Sequence, residues 1–176
     1  MIAVITPLDW PYLSKRMEIG QYSFELPPWW HDVSVPTLDE LDSEKETAAY
    51  VRENFGADVG TPDNWQEALK VWAICESRSG SFPVYIGHCY RTGGEYRNAI
   101  RVYSDLYELA DSQGEDRDWY QCYLAHNVGF LMLEIDEPEK AQSWLGKSAA
   151  FSGHKDNAIA YYADLAKKEL DLLSQK

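Results

Sequence analysis

Histidine and cysteine side chains lie close together at two points of the sequence, and both residue types are common ligands of zinc. Cys122 and His126 are four residues apart, so a helix places them on one face. His88 and Cys89 are adjacent in an earlier segment, so a Cys/His metal cluster or an unrecognised catalytic site is geometrically conceivable. No C-x-x-C pair accompanies them, and cysteine is among the most buried residue types. We therefore expect Cys89 and Cys122 to be core residues and expect no metal site.

Three runs of carboxylates contain the residue types of a glycosidase acid–base pair. Each run lies where a helix is predicted to begin, and acidic side chains there interact favourably with the helix dipole. We therefore expect these carboxylates to be solvent-exposed residues at helix starts rather than catalytic residues. The runs are Asp39/Glu40/Asp42, Glu115/Asp116/Asp118 and Asp136/Glu137/Glu139.

Motifs of nucleophilic, nucleotide-binding and zinc-dependent enzymes are absent from the sequence. It contains no G-x-S-x-G, no phosphate-binding loop, no G-x-G-x-x-G and no H-E-x-x-H. Gly93-Gly94 has no following Lys-Ser/Thr, so it indicates a turn between helices. We predict no catalytic residue, no cofactor and no enzymatic activity.

Acidic residues outnumber basic ones by 29 to 16, which gives a formal charge of −13. A nucleic-acid-binding protein needs clustered cations, and an anionic membrane surface would repel this chain. Residues 32–76 carry a net charge of −8 and residues 105–139 a net charge of −9. A well-solvated surface accounts for most of this charge, and the alternative is an acidic face that attracts a basic protein partner.

Cysteine content and hydropathy favour a cytoplasmic protein. Three cysteines are too few for a disulfide framework, as expected in a reducing compartment. No apolar run approaches the roughly 18–20 residues of a membrane helix. The first residues, MIAVITPLDWPY, have no basic segment before the apolar one, so we do not expect a secretory signal.

Two regions are predicted: an irregular arm over residues 1–43 and a helical domain over residues 44–176. The arm holds five of the eight prolines and three tryptophans, and Tyr22, Phe24 and Leu26 alternate as in a short strand. We expect the arm to pack on the helical body, and the alternative is a docking surface. Asp42 or Ser43 can cap the first helix, with Glu46 completing a capping box. The seven predicted helices span about 43–55, 64–77, 82–92, 95–112, 118–134, 138–151 and 157–174.

One pattern of small and large residues occurs three times. It consists of an apolar residue, Gly, two residues, an apolar residue, eight residues, Ala, three residues and a bulky apolar residue. A glycine on one helix and an alanine on the next allow two backbones to approach closely. The copies are Phe55-Gly56/Val59/Ala68/Trp72, Ile86-Gly87/Tyr90/Ala99/Tyr103 and Val128-Gly129/Met132/Ala141/Leu145.

This pattern resembles the tetratricopeptide repeat (TPR), whose first helix carries Leu-Gly and Tyr and whose second carries Ala and Phe. The second copy matches it most closely, and the copies lie 31 and 42 residues apart, against a typical 34. The family's early Trp is replaced by Arg52, Pro83 and Ala125. The resemblance implies an all-α fold of TPR-like antiparallel helix pairs in a right-handed superhelix, closed by a capping helix. A plain helical bundle is the alternative.

The resemblance also implies a concave groove that binds a segment of another protein. Asn127 matches one Asn of the family's carboxylate-binding set, but Val84 and His88 stand where a Lys and an Asn belong. A partly aromatic groove is therefore expected, unless the arm covers it. The residues expected to line the groove are Val84, His88, Arg91, Tyr123, His126, Asn127 and Phe130.

Three functions are compatible with these features. The first is a protein-binding adaptor that uses the groove and the acidic surface. The second is an acidic immunity protein or antitoxin that neutralises a basic toxin. The third, an enzyme with a site around His88, Cys89, Cys122 and His126, rests on single residues. We favour the first because close helix packing gives it a physical basis, and the oligomeric state stays open.

Overall fold

The computed structural model describes residues 4–5, 16–36, 38, 41 and 43–175. These residues are mostly helical, as predicted, with two small two-stranded sheets. The chain divides into two compact units, Met1–Glu95 and Tyr96–Lys176, which are described separately below. Among the described residues, no helix has both the length and the apolarity needed to cross a membrane.

The first unit contains three helices: α1 (Glu44–Phe55), α2 (Trp65–Ser79) and α3 (Val84–Thr92). The capping box predicted for α1 is confirmed, because the Glu46 amide donates to Ser43 Oγ at 3.3 Å. The Ser43 hydroxyl in turn donates to the Glu46 carboxylate at 2.8 Å. Asp42, the alternative cap, lies outside the described residues.

The N-terminal region is more regular than predicted. Its described residues contain four strands, and two of them, β2 (Arg16–Ile19) and β3 (Tyr22–Glu25), form a hairpin around a turn at Gly20, whose φ is +56°. Met17 and Ile19 alternate with polar residues and are buried, as are Tyr22 and Phe24 on the paired strand. Of the two strands of the hairpin, only β3 was indicated by alternating residues in the sequence. The strands are β1 (Val4–Ile5), β2 (Arg16–Ile19), β3 (Tyr22–Glu25) and β4 (Val35–Pro36), with β1 antiparallel to β4.

Part of the predicted arm cannot be compared with the structure. Pro7, Trp10 and Pro11 lie outside the described residues. The described part of the arm lies against α2, because β2 and β4 both contact that helix. The Arg78 guanidinium of α2 also donates a hydrogen bond to the carbonyl of Leu38.

Helix α2 is buried around its whole circumference between Ala68 and Glu76. Lys70 is 2 % exposed, and its ammonium donates to the carbonyls of Trp30 at 2.8 Å and Val33 at 2.6 Å. The same ammonium lies 5.1 Å from the centroid of the Trp30 ring. Burial lowers the pKa of Lys70. The lysine thus attaches residues 30–33 to the central helix through main-chain carbonyls.

The second unit is built from four α-helices and a 3₁₀ segment. The predicted polar link after the first of these helices is a 3₁₀ segment, Ala110–Asp116, which is broken at Gly114 with φ +57°. Pro138 occupies the first turn of its helix, and Asp156 caps the last helix by accepting from the Ala158 amide at 2.8 Å, both as predicted. The helices are α4 (Tyr96–Leu109), α5 (Arg117–Glu134), α6 (Pro138–Ala149) and α7 (Asn157–Leu173).

Helices α5 and α6 approach closely at Gly129, as the third copy of the pattern predicts. An ideal Cβ at Gly129 would lie 2.6 Å from Leu145 Cγ and 3.1 Å from the Leu145 backbone nitrogen. The first distance is shorter than real Cβ contacts, and the second would require the Leu145 backbone to shift by a few tenths of an ångström. Glycine therefore allows this close crossing, and Ala141 and Leu145 of α6 are completely buried.

The first copy of the pattern names the wrong glycine as the one that packs against the next helix. Gly56 ends α1 in the left-handed conformation, with φ +87°, and a Cβ there would meet only Thr61 Cγ2 at 3.4 Å. The glycine that approaches Ala68 is Gly60, where a Cβ would lie 3.0 Å from Ala68 Cβ. The second copy stays a prediction, because Gly87 belongs to one unit and Ala99 to the other.

Substitution at the α5–α6 crossing tests the packing directly. Gly129→Ala should lower the free energy of unfolding by about 1–3 kcal/mol, since Leu145 and its backbone must move away. Gly146→Ala is the matched control, because no atom lies within 4 Å of a Cβ added at this helical glycine. Alanine should raise the free energy of unfolding slightly there, since it favours the helix more than glycine does. Urea unfolding of both variants measures the difference, and equal effects would contradict a tight crossing.

Removal of the buried ammonium tests the attachment of the N-terminal region. Lys70→Met keeps the length of the side chain but leaves two carbonyls without their donor, so we expect a loss of about 1–3 kcal/mol. Lys45→Met, at an exposed position on α1, should change the stability by less than about 0.5 kcal/mol. If urea unfolding gives the same stability for Lys70→Met as for Lys45→Met, the two carbonyl contacts do not stabilise the fold.

Candidate protein-interaction site

Six ring side chains on α5 and α7 form a continuous surface, which we call the aromatic strip. Four of them follow one another on α5 at intervals of four, three and four residues, the spacing of one helical face. Two adjacent tyrosines of α7 complete the strip. Its members are Trp119, Tyr123, His126, Phe130, Tyr161 and Tyr162.

The rings of the strip touch in an unbroken series. Trp119 stacks on Tyr123 with 4.8 Å between centroids and 15° between planes. Tyr162 meets Tyr123 edge-on at 4.9 Å and His126 at 5.2 Å. His126 in turn lies 4.5 Å from Phe130. Such offset and edge-to-face contacts contribute about 0.5–1.5 kcal/mol each beyond burial, so the rings hold one another in place.

The strip is incompletely buried. Tyr161 is 59 % exposed, and the other five rings are half-buried. Aromatic side chains that serve only as core are normally covered, whereas partly exposed Tyr and Trp are enriched at protein-binding surfaces. The strip therefore offers ring faces and edges to a ligand.

A buried cysteine joins the helices beneath the strip. Cys122 Sγ lies 3.3 Å from Ser148 Oγ of α6 and donates to the Ile159 carbonyl of α7 at 3.5 Å. Cys122, Ile159 and Ala163 form a small core against which Trp119 and Tyr162 pack. This core fixes the spacing between α5 and α7 and hence the alignment of the rings.

Tyr123, His126 and Phe130, three of the predicted groove residues, belong to the strip. Asn127, also predicted, is only 3 % exposed and donates its amide to the Tyr123 carbonyl at 2.8 Å, so part of its hydrogen bonding is used inside α5. Val84 is buried at the start of α3 in the first unit.

His88 and Arg91, the remaining predicted residues, also lie on α3. Arg91 is exposed, whereas His88 is half-buried with its ring edge-on to Tyr85 at 5.7 Å. Burial, together with the nearby Arg91 guanidinium, lowers the pKa of His88 to about 4. His88 is therefore a neutral imidazole at physiological pH.

The cysteines have the environment expected of core residues. Cys75, Cys89 and Cys122 are all buried thiols. Burial raises the pKa of the Cys89 and Cys122 thiols, which disfavours the nucleophilic thiolate. Within the described ranges, no group of three His, Cys, Asp or Glu side chains is arranged to hold a metal ion.

A buried carboxyl group, which the sequence analysis missed, lies on α2. Glu76 is 3 % exposed, and its Oε2 has no hydrogen-bond partner among the described residues. Burial raises its pKa well above the usual value, and the negative charge of Glu44 adds to the effect. Tyr85, which stacks on Trp72 at 3.8 Å, donates its hydroxyl to that same Glu44. Burial thus favours the protonated form of the Glu76 carboxyl inside the first unit.

One signal in the sequence could have revealed more of the site. The spacing of Trp119, Tyr123, His126 and Phe130 marks one ring-bearing face of α5, and it extends the predicted set by Trp119. Tyr161 and Tyr162 were recognisable only as helix residues, because their contact with α5 depends on how the helices pack.

The described fold and site therefore define a mostly helical protein with a partly exposed aromatic surface. No protein-family model matches the chain, and neither the curated proteins nor the solved structures yield a match.

The buried carboxyl makes stability depend on pH. Because the folded protein holds a proton on Glu76 that the unfolded chain releases near pH 4.5, stability should fall as the pH rises above that value. Glu76→Gln removes this pH dependence, so the variant should become more stable relative to the parent as the pH rises. The melting temperatures of both proteins between pH 5 and pH 8 measure the difference. Glu53→Gln, at an exposed position on α1, is the control. Parallel curves for parent and Glu76→Gln would show that Glu76 is ionised in the folded state.

Proposed function

We propose that this protein is a non-enzymatic interaction module that binds a segment of a partner protein on the aromatic strip. The observation that carries the proposal is the series of six touching rings on α5 and α7, of which none is fully buried and Tyr161 is 59 % exposed. Helical faces that present such rings commonly accept an extended or helical peptide.

We further propose that the helices belong to a TPR-like right-handed superhelix whose groove includes the strip. The close approach at Gly129 supports this arrangement, since it matches the glycine of the third copy. A content of three cysteines agrees with residence in a reducing compartment such as the cytoplasm.

A second candidate function is neutralisation of a basic toxin by an acidic immunity protein or antitoxin. The formal charge of −13 favours it, because an acidic surface accelerates association with a basic partner. The two candidates share the surface and differ in the partner, which in the second case is basic and lethal when produced alone.

Partner capture with strip variants tests the proposal. The tagged chain should retain one stoichiometric partner from its native host. Tyr161→Ala and Phe130→Ala should weaken binding of that partner by at least about tenfold, as expected when interface aromatic residues are truncated. Tyr161 is the cleaner probe, because its ring is 59 % exposed and its truncation removes little core packing.

The control is Trp144→Ala, which removes a half-buried ring of α6 that packs on Tyr107 rather than on the strip. Its affinity for the captured partner should stay within about twofold of the parent. If Trp144→Ala abolishes binding while both strip variants bind normally, the partner occupies another surface. A captured partner that is basic and lethal alone would favour the immunity function.

A further inference from the structure

A groove at one end of the second unit lies outside the aromatic strip. It is formed by the turn between α5 and α6 together with the last turns of α7, and its volume is about 620 Å³. We call it the end groove. Its lining residues are Leu133, Asp136, Pro138, Glu169, Leu172, Leu173 and Gln175.

The lining of the end groove is largely apolar. Leu133, Pro138 and Leu173 are only partly buried, and Leu172 is 54 % exposed. The exposed Leu172 and its partly buried apolar neighbours share one concave surface, and this indicates a site for an apolar side chain.

Two carboxylates lie in the lining of the groove, one from the α5–α6 turn and one from α7. The neighbouring Glu137 is already paired, since it accepts from Lys140 at 2.6 Å and from Arg97 at 3.3 Å. In the described part of the chain, Asp136 and Glu169 have no ion pair and no side-chain hydrogen bond. Among the residues that the structure describes, the end groove thus combines an apolar surface with two carboxylates that make no ion pair.

The backbone at Asp136 is unusual for a residue with a side chain. Its φ is +58°, and every other described residue with positive φ is glycine. Glycine is the ordinary choice where a helix ends in the left-handed conformation. This turn therefore keeps a carboxylate at the groove in a conformation that glycine would adopt more readily.

We propose that the end groove binds a basic amphipathic segment of a partner protein, with an apolar side chain against Leu172 and its apolar neighbours and with Lys or Arg side chains on Asp136 and Glu169. Charge complementarity selects this occupant. A second copy of this chain fits poorly, because both copies carry a formal charge of −13. The end groove is a binding surface additional to the aromatic strip, and neither depends on the other.

Titration of the full-length chain with a synthetic amphipathic helix of leucine and lysine tests the inference by isothermal calorimetry at near-physiological salt. Glu169→Gln and Asp136→Asn should each weaken binding by about three- to tenfold, the loss of one hydrogen-bonded charge pair. Asp171→Asn is the matched control, because it removes the same charge from an exposed position of α7 outside the groove lining. Its affinity should stay within about twofold of the parent.

Asp136→Gly separates binding from folding. Glycine relieves the left-handed backbone, so the melting temperature should rise while affinity for the peptide falls. Leu172→Ser should also weaken binding of the peptide, whereas Tyr161→Ala should leave the peptide affinity unchanged. The two variants therefore test the proposal for the end groove separately from the proposal for the aromatic strip.

Three results would overturn the inference. One is an Asp171→Asn variant that loses as much affinity as Glu169→Gln, which would indicate diffuse attraction to an acidic surface. Another is a peptide affinity that responds to Tyr161→Ala and not to the groove variants. The third is a dimer in sedimentation that dissociates in Leu172→Ser, which would make a second copy the occupant.

Discussion

The close approach of α5 and α6 at Gly129 is the constraint on which the second unit depends. Since the Leu145 backbone nitrogen lies 3.1 Å from where a Cβ at position 129 would stand, the two helices have no room for a side chain between them. The same pair of helices encloses Cys122, whose sulfur reaches both Ser148 on α6 and the Ile159 carbonyl on α7. The position of α7, and with it the contact of Tyr162 with Tyr123 and His126, follows from this packing.

The first unit is organised around a helix that has no solvent-facing side. Most of α2 is apolar, yet it encloses the ammonium of Lys70 and the carboxyl of Glu76. Burial of a charged group is unfavourable, and the two side chains reduce this cost in different ways. The Lys70 ammonium donates to main-chain carbonyls of residues 30 and 33. The Glu76 carboxyl has a raised pKa, which favours its neutral form. Both solutions tie the unit's stability to individual polar atoms.

The sequence was informative where local chemistry determines structure. Ser43, Pro138 and Asp156 marked helix starts correctly, because capping depends on residues within one turn. The third copy of the repeated pattern located the α5–α6 crossing through Gly129 and Leu145.

Non-local features were harder to predict. Gly56 matched the pattern but ends a helix, because a glycine satisfies a packing motif and a left-handed cap equally well. Only β3 of the β2–β3 hairpin was predicted from the sequence. Its partner β2 was not recognised, because β2 carries charges at Arg16 and Glu18. Burial of Lys70 had no sequence signal beyond its position in an apolar run, and the contact of Tyr162 with α5 required the packed helices.

The second unit presents two chemically different surfaces, an aromatic one on α5 and α7 and an apolar, acidic one at the end groove. Both are built from side chains that the core leaves partly exposed, and this is why recognition of a partner protein is the central claim. Hydroxyl-radical footprinting of the full-length chain, alone and in complex with its captured partner, tests that claim most directly. The account predicts that oxidation of Tyr161, Phe130 and Trp119 drops in the complex while that of Tyr107 and Trp144 is unchanged. Unchanged oxidation of the strip in a saturated complex would contradict it.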